Sequence, residues 1–378
     1  MKSDTIRNAK LLKNIIQTLG TLIIAGALFV QPAMAEQMSN YELTERINQL
    51  EEKLKNNALP GGWAERVSLS GVVEVEAGFE DIDYDDPAVK DEDSSDLSLA
   101  TAELGVDADV ADHVAGHVLF LYEDDEDVVV DEAFITISGE DVVPLYMTAG
   151  KLYVPFGNFE TRFVSDPMTL DIGETRETAV TAGYADDIFD INATVFNGDV
   201  DEAGEDNHIE TWSAAATFTL PENQVPGLGL AAGVSYISNI AEADGLEEEI
   251  TAGEVEDHVA GAGCFLTASY MERFFFQAEY ISALDDFKAG ELNFDGGERF
   301  EPETWNVEFA FKVVEKMTLA ARYEGGEDLG GFLPETRYGG CVTYDLFENT
   351  SIALELLNGE FENDDEAQVV TAQLAVEF

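Results

Sequence analysis

The amino-acid sequence predicts an all-β protein, a 16-stranded antiparallel transmembrane β-barrel preceded by a short α-helical coiled-coil segment. Two observations predict it. From Val67 to the end of the chain, apolar and polar residues alternate with a period of two, as in a strand with one face in lipid and one in water. The connections between these segments alternate between long loops and short turns, which is typical of a barrel that crosses a membrane.

The composition indicates a folded and strongly acidic protein. Among 378 residues there are 78 Asp or Glu and 19 Lys or Arg, a formal net charge of −59. Such a chain lacks the basic surface that binding to phosphates requires, so nucleic acid is excluded as a partner. The hydrophobic fraction of 45% is too high for a disordered acidic chain. With four His and two Cys residues, we expect no metal centre and no cofactor.

The first 35 residues have the features of a secretory signal peptide. Four basic residues precede the apolar run from Leu19 to Val30, and Ala33-Met34-Ala35 matches an A-x-A cleavage site. A membrane anchor, the alternative, needs about 20 apolar residues. We therefore expect residues 1–35 to be removed and the mature protein to be exported.

A short helix is predicted for residues 36–59, because apolar residues recur there at the a/d spacing of a coiled coil. These residues are Leu43, Ile47, Leu50 and Leu54. Two heptads are marginal alone. The segment is either a periplasmic coiled coil that helps to hold an oligomer together or a single amphipathic helix resting on the next domain. Residues 60–65 are the predicted linker to a barrel of residues 66–378.

The segment from Trp305 to Val313 shows the strand pattern clearly, since its odd-numbered residues are aromatic or Val and three of its four even-numbered residues are polar. Alternation over about 10 residues is what a transmembrane strand requires. We predict sixteen strands, beginning near residues 66, 95, 113, 129, 142, 177, 188, 209, 227, 258, 272, 303, 315, 334, 348 and 367.

The predicted connections sort into two groups. Mostly long loops are expected around 80–96, 152–176, 197–208, 238–257, 283–302, 324–335 and 359–366. Tight turns are expected at 109–112, 138–141, 185–187, 270–271, 313–315 and 346–349. A soluble β-sandwich would alternate too, but it has no reason to sort its loops. An even strand number with both termini on the short-turn side is the layout of bacterial outer-membrane barrels, and the final Phe378 resembles their assembly signal.

The loop around 152–176 differs from the others, which are dominated by Asp, Glu and Gly. Its apolar residues are Phe156, Phe159, Phe163, Val164, Met168, Leu170 and Ile172. Because exposed apolar patches are rare, we expect this loop to fold into the barrel as a constriction. Sixteen strands enclose a lumen too wide for side chains to fill, so an aqueous channel is expected.

At this loop the sequence resembles a known family, the legiobactin-type (LbtU-like) siderophore porins. The resemblance covers the whole mature chain and is carried by Gly150-Lys151-Leu152-Tyr153-Val154-Pro155-Phe156-Gly157, followed by Asp166-Pro167 and Gly173-Glu174-Thr175-Arg176. It implies an outer-membrane channel that takes part in ferric siderophore or iron uptake. Phosphate-selective porins carry a similar Gly-Lys…Pro-Phe-Gly run, so this run does not identify the cargo. The alternative is a general cation-preferring diffusion porin.

Charged residues of the constriction loop and of the inward strand register are the candidate pore residues. They are Glu160, Arg162, Asp166, Asp171, Glu174 and Arg176 in the loop, and Glu279, Glu308, Lys312, Arg322 and Arg337 on the strands. Further inward carboxylates are Glu74, Glu76, Glu324, Asp345, Glu355 and Glu377. Lumen carboxylates would concentrate cations, whereas five scattered cations do not make an anion path. Much of the total acidity is equally explained as a solvated surface suited to high salt.

No enzyme motif such as G-x-S-x-G, H-E-x-x-H or a P-loop occurs in the sequence, so we expect a channel and not an enzyme. Asp81, Asp83, Asp85 and Glu92 have partial EF-hand spacing, but Asp86 replaces the required Gly, so loosely bound calcium on acidic loops is the favoured interpretation.

We expect a homotrimer in the outer membrane, with small solutes or a ferric siderophore as cargo. Cys264 and Cys341 fall in opposite registers, which disfavours a disulfide.

Overall fold

A computed structural model describes residues 66–123, 127–139, 142–204, 208–221 and 224–378. The predicted signal peptide of residues 1–35, the helix of residues 36–59 and the linker of residues 60–65 lie outside the described residues.

Sixteen antiparallel strands form one closed barrel. They are β1 (Val67–Asp83), β2 (Glu92–Ala111), β3 (Val114–Glu123), β4 (Val129–Ser138), β5 (Leu145–Tyr153), β6 (Arg176–Ala185), β7 (Phe189–Phe196), β8 (Thr211–Thr219), β9 (Leu228–Ile237), β10 (Gly261–Tyr270), β11 (Phe274–Ala283), β12 (Glu303–Val314), β13 (Met317–Glu327), β14 (Thr336–Phe347), β15 (Thr350–Glu360) and β16 (Glu366–Glu377). Each strand pairs with its neighbours in sequence, and β16 closes the barrel on β1 with Val73 opposite Val376.

The predicted 16-stranded antiparallel barrel is confirmed, and each strand begins within three residues of its predicted start. The first long loop is shorter than predicted. Residues 80–83 continue β1 and residues 92–96 belong to β2, with Ile82 opposite Glu92, so the loop covers only 84–91. Asp81, Asp83 and Glu92 are therefore extended strand residues, which cannot wrap around an ion as an EF-hand loop does.

The two faces of the wall differ in chemistry. On β12, Val307 and Phe309 point outward and are 40% and 48% exposed, whereas the neighbouring Glu308 points inward and is 2% exposed. The outer face of the barrel carries exposed Leu, Val, Ile and aromatic side chains on strand after strand. An apolar band of this kind is what the hydrocarbon of a bilayer requires of a barrel.

The buried apolar core lies at the long-loop end of the barrel, inside its mouth. The contributing loops are L3 (154–175), L4 (197–210), L5 (238–260), L6 (284–302) and L7 (328–335). Their core residues include Phe156, Met168, Ile172, Val200, Ile240, Leu246, Ile250, Phe287, Leu292 and Leu329. These loops thus pack on one another and cover part of the lumen.

Short helical turns occur within the long loops. They are α1 (Met168–Asp171) in L3, α2 (Asp244–Glu247) in L5, and the 3-10 turns Ile240–Glu242 and Thr251–Gly253, also in L5. A parallel ladder pairs Asp201–Glu202 of L4 with Glu254–Val255 of L5. Among the described residues, no helix has the length and apolarity needed to cross a membrane.

Gly150, in β5 shortly before L3, lies where the backbone and the neighbouring strand leave no room for a side chain. Its φ is +146°, and an added Cβ would lie 2.1 Å from the carbonyl oxygen of Ala133. The side chain of Phe134, on the neighbouring β4, covers the glycine. Any larger residue would therefore push β4 away from the start of the loop.

Candidate functional site

L3 runs from β5 across the barrel interior and contacts the inner wall on the far side. The backbone N–H of Gly157 donates to the hydroxyl of Ser235 on β9, at 3.2 Å. The N–H groups of Asn158 and Phe159 donate to the carboxylate of Glu279 on β11, at 2.6 and 3.1 Å. The first part of L3 is therefore held against strands that lie four and six positions around the barrel from β5.

The middle of L3 is bound by two further glutamates. Glu308 on β12 accepts hydrogen bonds from the N–H of Arg162, at 2.9 Å, and from the hydroxyl of Thr161, at 2.8 Å. Glu355 on β15 accepts from the N–H groups of Val164 and Ser165, at 2.7 and 3.1 Å, and from the Ser165 hydroxyl at 2.8 Å. Both carboxylates are almost fully buried beneath the loop.

A charged cluster on β13 and β14 lies under the tip of L3. The guanidinium of Arg322 forms an ion pair with Glu324 at 3.3 Å, and both side chains are inaccessible to solvent. Arg337 also pairs with Glu324. Arg322 donates to the carbonyl oxygen of Ser165 at 2.8 Å, and Arg337 donates to that of Asp166 at 2.9 Å. These two cations thus share the carboxylate of Glu324 and donate further hydrogen bonds to loop carbonyl groups.

The returning part of L3 packs on L5. Asp244 at the start of α2 donates its N–H to the carbonyl of Glu174 at 2.7 Å and accepts from the N–H of Arg176 at 3.0 Å. The Arg176 guanidinium pairs with Asp131, which also accepts from the Tyr153 hydroxyl at 3.2 Å. Asp131 is the extra residue of a β-bulge in β4 and is buried.

Carboxylates line the opposite side of the lumen, on β1, β2 and β4. Glu74 lies within electrostatic range of Glu76, Glu103 and the L3 residue Asp166. Glu103 in turn lies within range of Asp131 and of its neighbour Glu132 on β4. Asp166 is exposed to solvent, and the carboxyl groups of Glu74 and Glu103 are half-buried. Between L3 and this wall the lumen is therefore bordered by acidic groups on both sides.

Burial changes the proton affinity of the loop carboxyls. It raises the pKa of Asp171 to about 6 and that of Glu174 to about 7, the latter also through the nearby charges of Asp244 and Asp166. In L5, burial raises the pKa of Glu242 to about 7, against the lowering effect of hydrogen bonds from Asn239 and Val200. The charge that L3 presents to the lumen thus changes near neutral pH.

The structure separates the predicted pore residues into three groups. Glu279, Glu308, Arg322 and Arg337 are wall residues that bind L3. Asp166, Asp171, Glu174 and Arg176 lie at the tip and the returning part of L3. Glu160 and Arg162 lie in the middle of L3, and Lys312 lies on β12. Glu160 and Arg162 are exposed, and the Arg162 guanidinium lies 3.8 Å from the ring centre of Phe275. Lys312, on β12 beside the short-turn end, is half-buried.

Sequence reasoning did not select Glu103, Asp131 and Glu132 as pore residues. The β-bulge shifts the register of β4, so alternation alone assigns Asp131 and Glu132 to opposite faces. A run of two acidic residues within an apolar strand is the signal that could have indicated the bulge. Glu103 shares the inward register of β2 with Asp107 and could have been found from alternation.

The acidic loops and the two cysteines are the remaining predicted chemical features. In the described ranges, no group of three or more His, Cys, Asp or Glu residues is arranged to hold a metal ion. Loosely bound calcium therefore stays a prediction. Cys264 is exposed on the outer face and Cys341 is buried beneath L3, and both thiols are free.

The closed 16-stranded wall, its apolar outer band and the loop folded into the lumen define an outer-membrane β-barrel with the porin fold. Its solved structural neighbours include an outer-membrane channel and an anion-selective porin.

Two solved porins share this architecture. The outer-membrane channel DcaP of Acinetobacter baumannii matches with a TM-score of 0.57 and 15% identity, covering 82% of this chain and 97% of that one. An anion-selective porin from Comamonas acidovorans matches with a TM-score of 0.58 and 11% identity, covering 82% and 99%. At these identities the likeness shows the fold alone.

In sequence the chain is similar to proteins described as UPF0422. It is 26% identical over 324 residues to the UPF0422 protein of Coxiella burnetii, covering 82% of this chain and 67% of that protein. It is 23% identical over 329 residues to the UPF0422 protein lpl2888 of Legionella pneumophila, covering 76% and 58%. The chain thus spans about three fifths to two thirds of the length of these relatives. No family model matches the chain.

Proposed function

We propose that the protein is a water-filled diffusion channel of the outer membrane that prefers small cations. The observation that carries the proposal is the pair of acidic surfaces that face each other across the lumen, Asp166 and Glu174 on L3 and Glu74, Glu103 and Glu132 on the wall. Carboxylates that line a narrow passage raise the local concentration of cations and repel anions.

The basic residues of the lumen do not offset this charge. Arg322 and Arg337 pair with Glu324, and Arg176 pairs with Asp131. Arg176 has a carboxylate partner of its own, and Arg322 and Arg337 share Glu324, with Glu308 and Glu355 also close to Arg322. A continuous row of free guanidinium or ammonium groups, which an anion pathway requires, is not formed by the described inward residues.

Ion selectivity in planar bilayers tests this proposal. With a potassium chloride gradient, we expect a reversal potential that favours potassium, and we expect it to shrink as salt shortens the Debye length from about 10 Å at 0.1 M to about 3 Å at 1 M. Glu74→Gln combined with Glu103→Gln should lower the preference, whereas Glu348→Gln, in an exposed turn, should not. Equal permeability of potassium and chloride at low salt would contradict the proposal.

We propose a homotrimer as the assembled form, supported by the distribution of outward aromatic residues. From β6 to β14 every strand presents an aromatic side chain on its outer face, for example Trp212, Tyr280 and Phe309, whereas β4 presents Ile135 and Ile137 and β15 presents Leu354 and Leu356. Aromatic belts mark contact with lipid interfaces. In the sector from β15 through β5, Phe120 on β3 is an exposed aromatic residue, but such residues are fewer there, so this sector is the expected subunit contact. Ile135→Lys should convert trimers to monomers in native electrophoresis, whereas unchanged mobility would place the contact elsewhere.

Ferric siderophore uptake, which the family resemblance implies, is a narrower proposal for the same pore. An acidic constriction repels an anionic ferric complex, so we propose a neutral or cationic complex as cargo. Growth of a deletion strain with a supplied ferric siderophore as iron source is the test. Growth equal to that of the parent strain would contradict this cargo and leave general cation diffusion.

A further inference from the structure

L3 is held in place by the wall and only weakly by its own structure. Its internal secondary structure is a single turn, α1. Between its start and its tip, seven backbone N–H groups donate to side chains of the barrel, whereas those of Val154 and Phe163 donate within the loop. The donors are Gly157, Asn158, Phe159, Arg162, Val164, Ser165 and Met168, and the acceptors are Ser235, Glu279, Glu308, Glu355 and Glu324.

We infer that Glu279, Glu308 and Glu355 are positioning residues that latch L3 across the lumen, and that breaking this latch releases the loop and widens the passage. The inference rests on the proposed channel function. It assigns these glutamates to loop attachment and leaves ion preference to the acidic groups that face one another across the passage.

The burial of the three glutamates supports this division. Glu279, Glu308 and Glu355 are 7%, 2% and 1% exposed. Each carboxylate is occupied by two or three donors from L3. A carboxylate satisfied in this way is screened from passing ions, and its charge strengthens the hydrogen bonds that it accepts.

Glutamine is the substitution that changes the hydrogen bonding of these residues with the least change in their size. It keeps the size of the side chain but replaces one acceptor oxygen with an NH2 donor, which then faces the N–H or hydroxyl donors of L3. The charge-assisted bonds become neutral ones, and donors are left unsatisfied in a buried place. Each Glu→Gln change therefore weakens the attachment of the loop without removing any atom from the strand hydrogen bonds.

The protein contains a natural reporter of loop position. Cys341 on β14 is 2% exposed and packs with Phe163 of L3 and Leu357 of β15. Its thiol faces the lumen and becomes accessible when Phe163 leaves. Cys264, the other cysteine, lies exposed on the outer face and can be replaced by Ala to leave one thiol.

The experiment measures the rate at which a small polar maleimide labels Cys341 in the full chain, folded in liposomes. In a Cys264→Ala background, Glu308→Gln combined with Glu355→Gln should raise the rate at least about tenfold, since each lost charged acceptor weakens several bonds. Single-channel conductance should rise as well. The matched control is Asp345→Asn, an exposed inward carboxylate of β14 at the short-turn end, which should leave both quantities unchanged.

A labelling rate equal to that of the parent in a heat-modifiable, folded double variant would overturn the inference. If the double variant does not fold, Thr161→Ala with Ser165→Ala removes loop hydroxyl donors and leaves every wall residue intact, and the same rate increase is expected. Labelling does not depend on ion flow. A barrel that passes no ions would therefore contradict the proposed channel function, whereas an unchanged labelling rate of Cys341 would contradict only the inference that these glutamates hold L3 in place.

Discussion

Replacing Phe309 with Arg tests the assignment of the two wall faces most directly. Phe309 lies on the outer face of β12, five residues before the strand ends at Val314. With a rise of about 3.3 Å per residue and a tilt of about 40°, five residues advance about 13 Å along the membrane normal. This is half of an apolar band of about 25 Å, so Phe309 lies at the midplane.

An arginine at the midplane of a barrel's lipid face costs about 2–4 kcal/mol of stability. Phe309→Arg should therefore lower the free energy of unfolding by that amount, a change of about 30-fold to 1,000-fold in the unfolding equilibrium constant, since 1.4 kcal/mol is tenfold. The assay is reversible denaturant unfolding in liposomes, followed by tryptophan fluorescence. Asp345→Arg, on the exposed inward face, should stay within about 0.5 kcal/mol. A loss below about 1 kcal/mol for Phe309→Arg would refute the outward assignment.

Two further predictions concern L3. Deleting residues 159–170 should leave a folded, heat-modifiable barrel of larger single-channel conductance, because the loop fills the lumen while the strands close the wall; unchanged conductance in a folded variant would place the constriction elsewhere. The pKa of Glu174 is raised to about 7 from 4.5 by burial, so folded L3 binds a proton more tightly than the unfolded loop does. The resulting stabilisation is complete below pH 4.5 and is lost as the pH rises through 7, so resistance of L3 to added protease should fall between pH 5 and pH 8. Over the same range the potassium preference should increase as Glu174 ionises, and Glu174→Gln should reduce this pH dependence to the part that Asp171 contributes.

The deletion and the latch variants differ in what they expose. Deleting residues 159–170 leaves Glu308 and Glu355 without their L3 donors, and these two freed carboxylates offset the loss of Asp166, which lies within the deleted segment. Substituting Glu308 and Glu355 with Gln removes charge from the same positions. A wider pore that keeps its cation preference in the first case and has an unchanged or weaker preference in the second would separate pore size from pore charge.

The sequence predicted the barrel because the fold depends on a local pattern. Alternation with a period of two specifies both the strand and its two faces, as Phe309 and Glu308 show, and one shifted residue would exchange the faces. The apolar composition of L3 likewise predicted that the loop needs a surface to pack on, and Met168 and Ile172 are fully buried. These properties can be read from neighbours in the chain.

The partners of each inward carboxylate could not be read in this way. Glu308 and Glu74 have the same local pattern, yet Glu308 binds Thr161 and Arg162 of L3 and Glu74 faces the passage. The difference depends on where a loop from β5 meets strands more than a hundred residues further along the chain. The bulge at Asp131 adds a second case, because it changes the facing of one residue without changing the composition of its strand.

Sequence alone thus determined the number, order and faces of the strands, since each follows from the local alternation of apolar and polar residues. Only the tertiary structure decided which carboxylates hold the loop and which border the pore, because that depends on donors brought from distant segments. A buried carboxylate must be satisfied by hydrogen bonds, whereas a lumen carboxylate can remain hydrated. When the barrel closes around L3, the carboxylates that meet the loop become its hydrogen-bond acceptors, and the other inward carboxylates remain in the hydrated lumen.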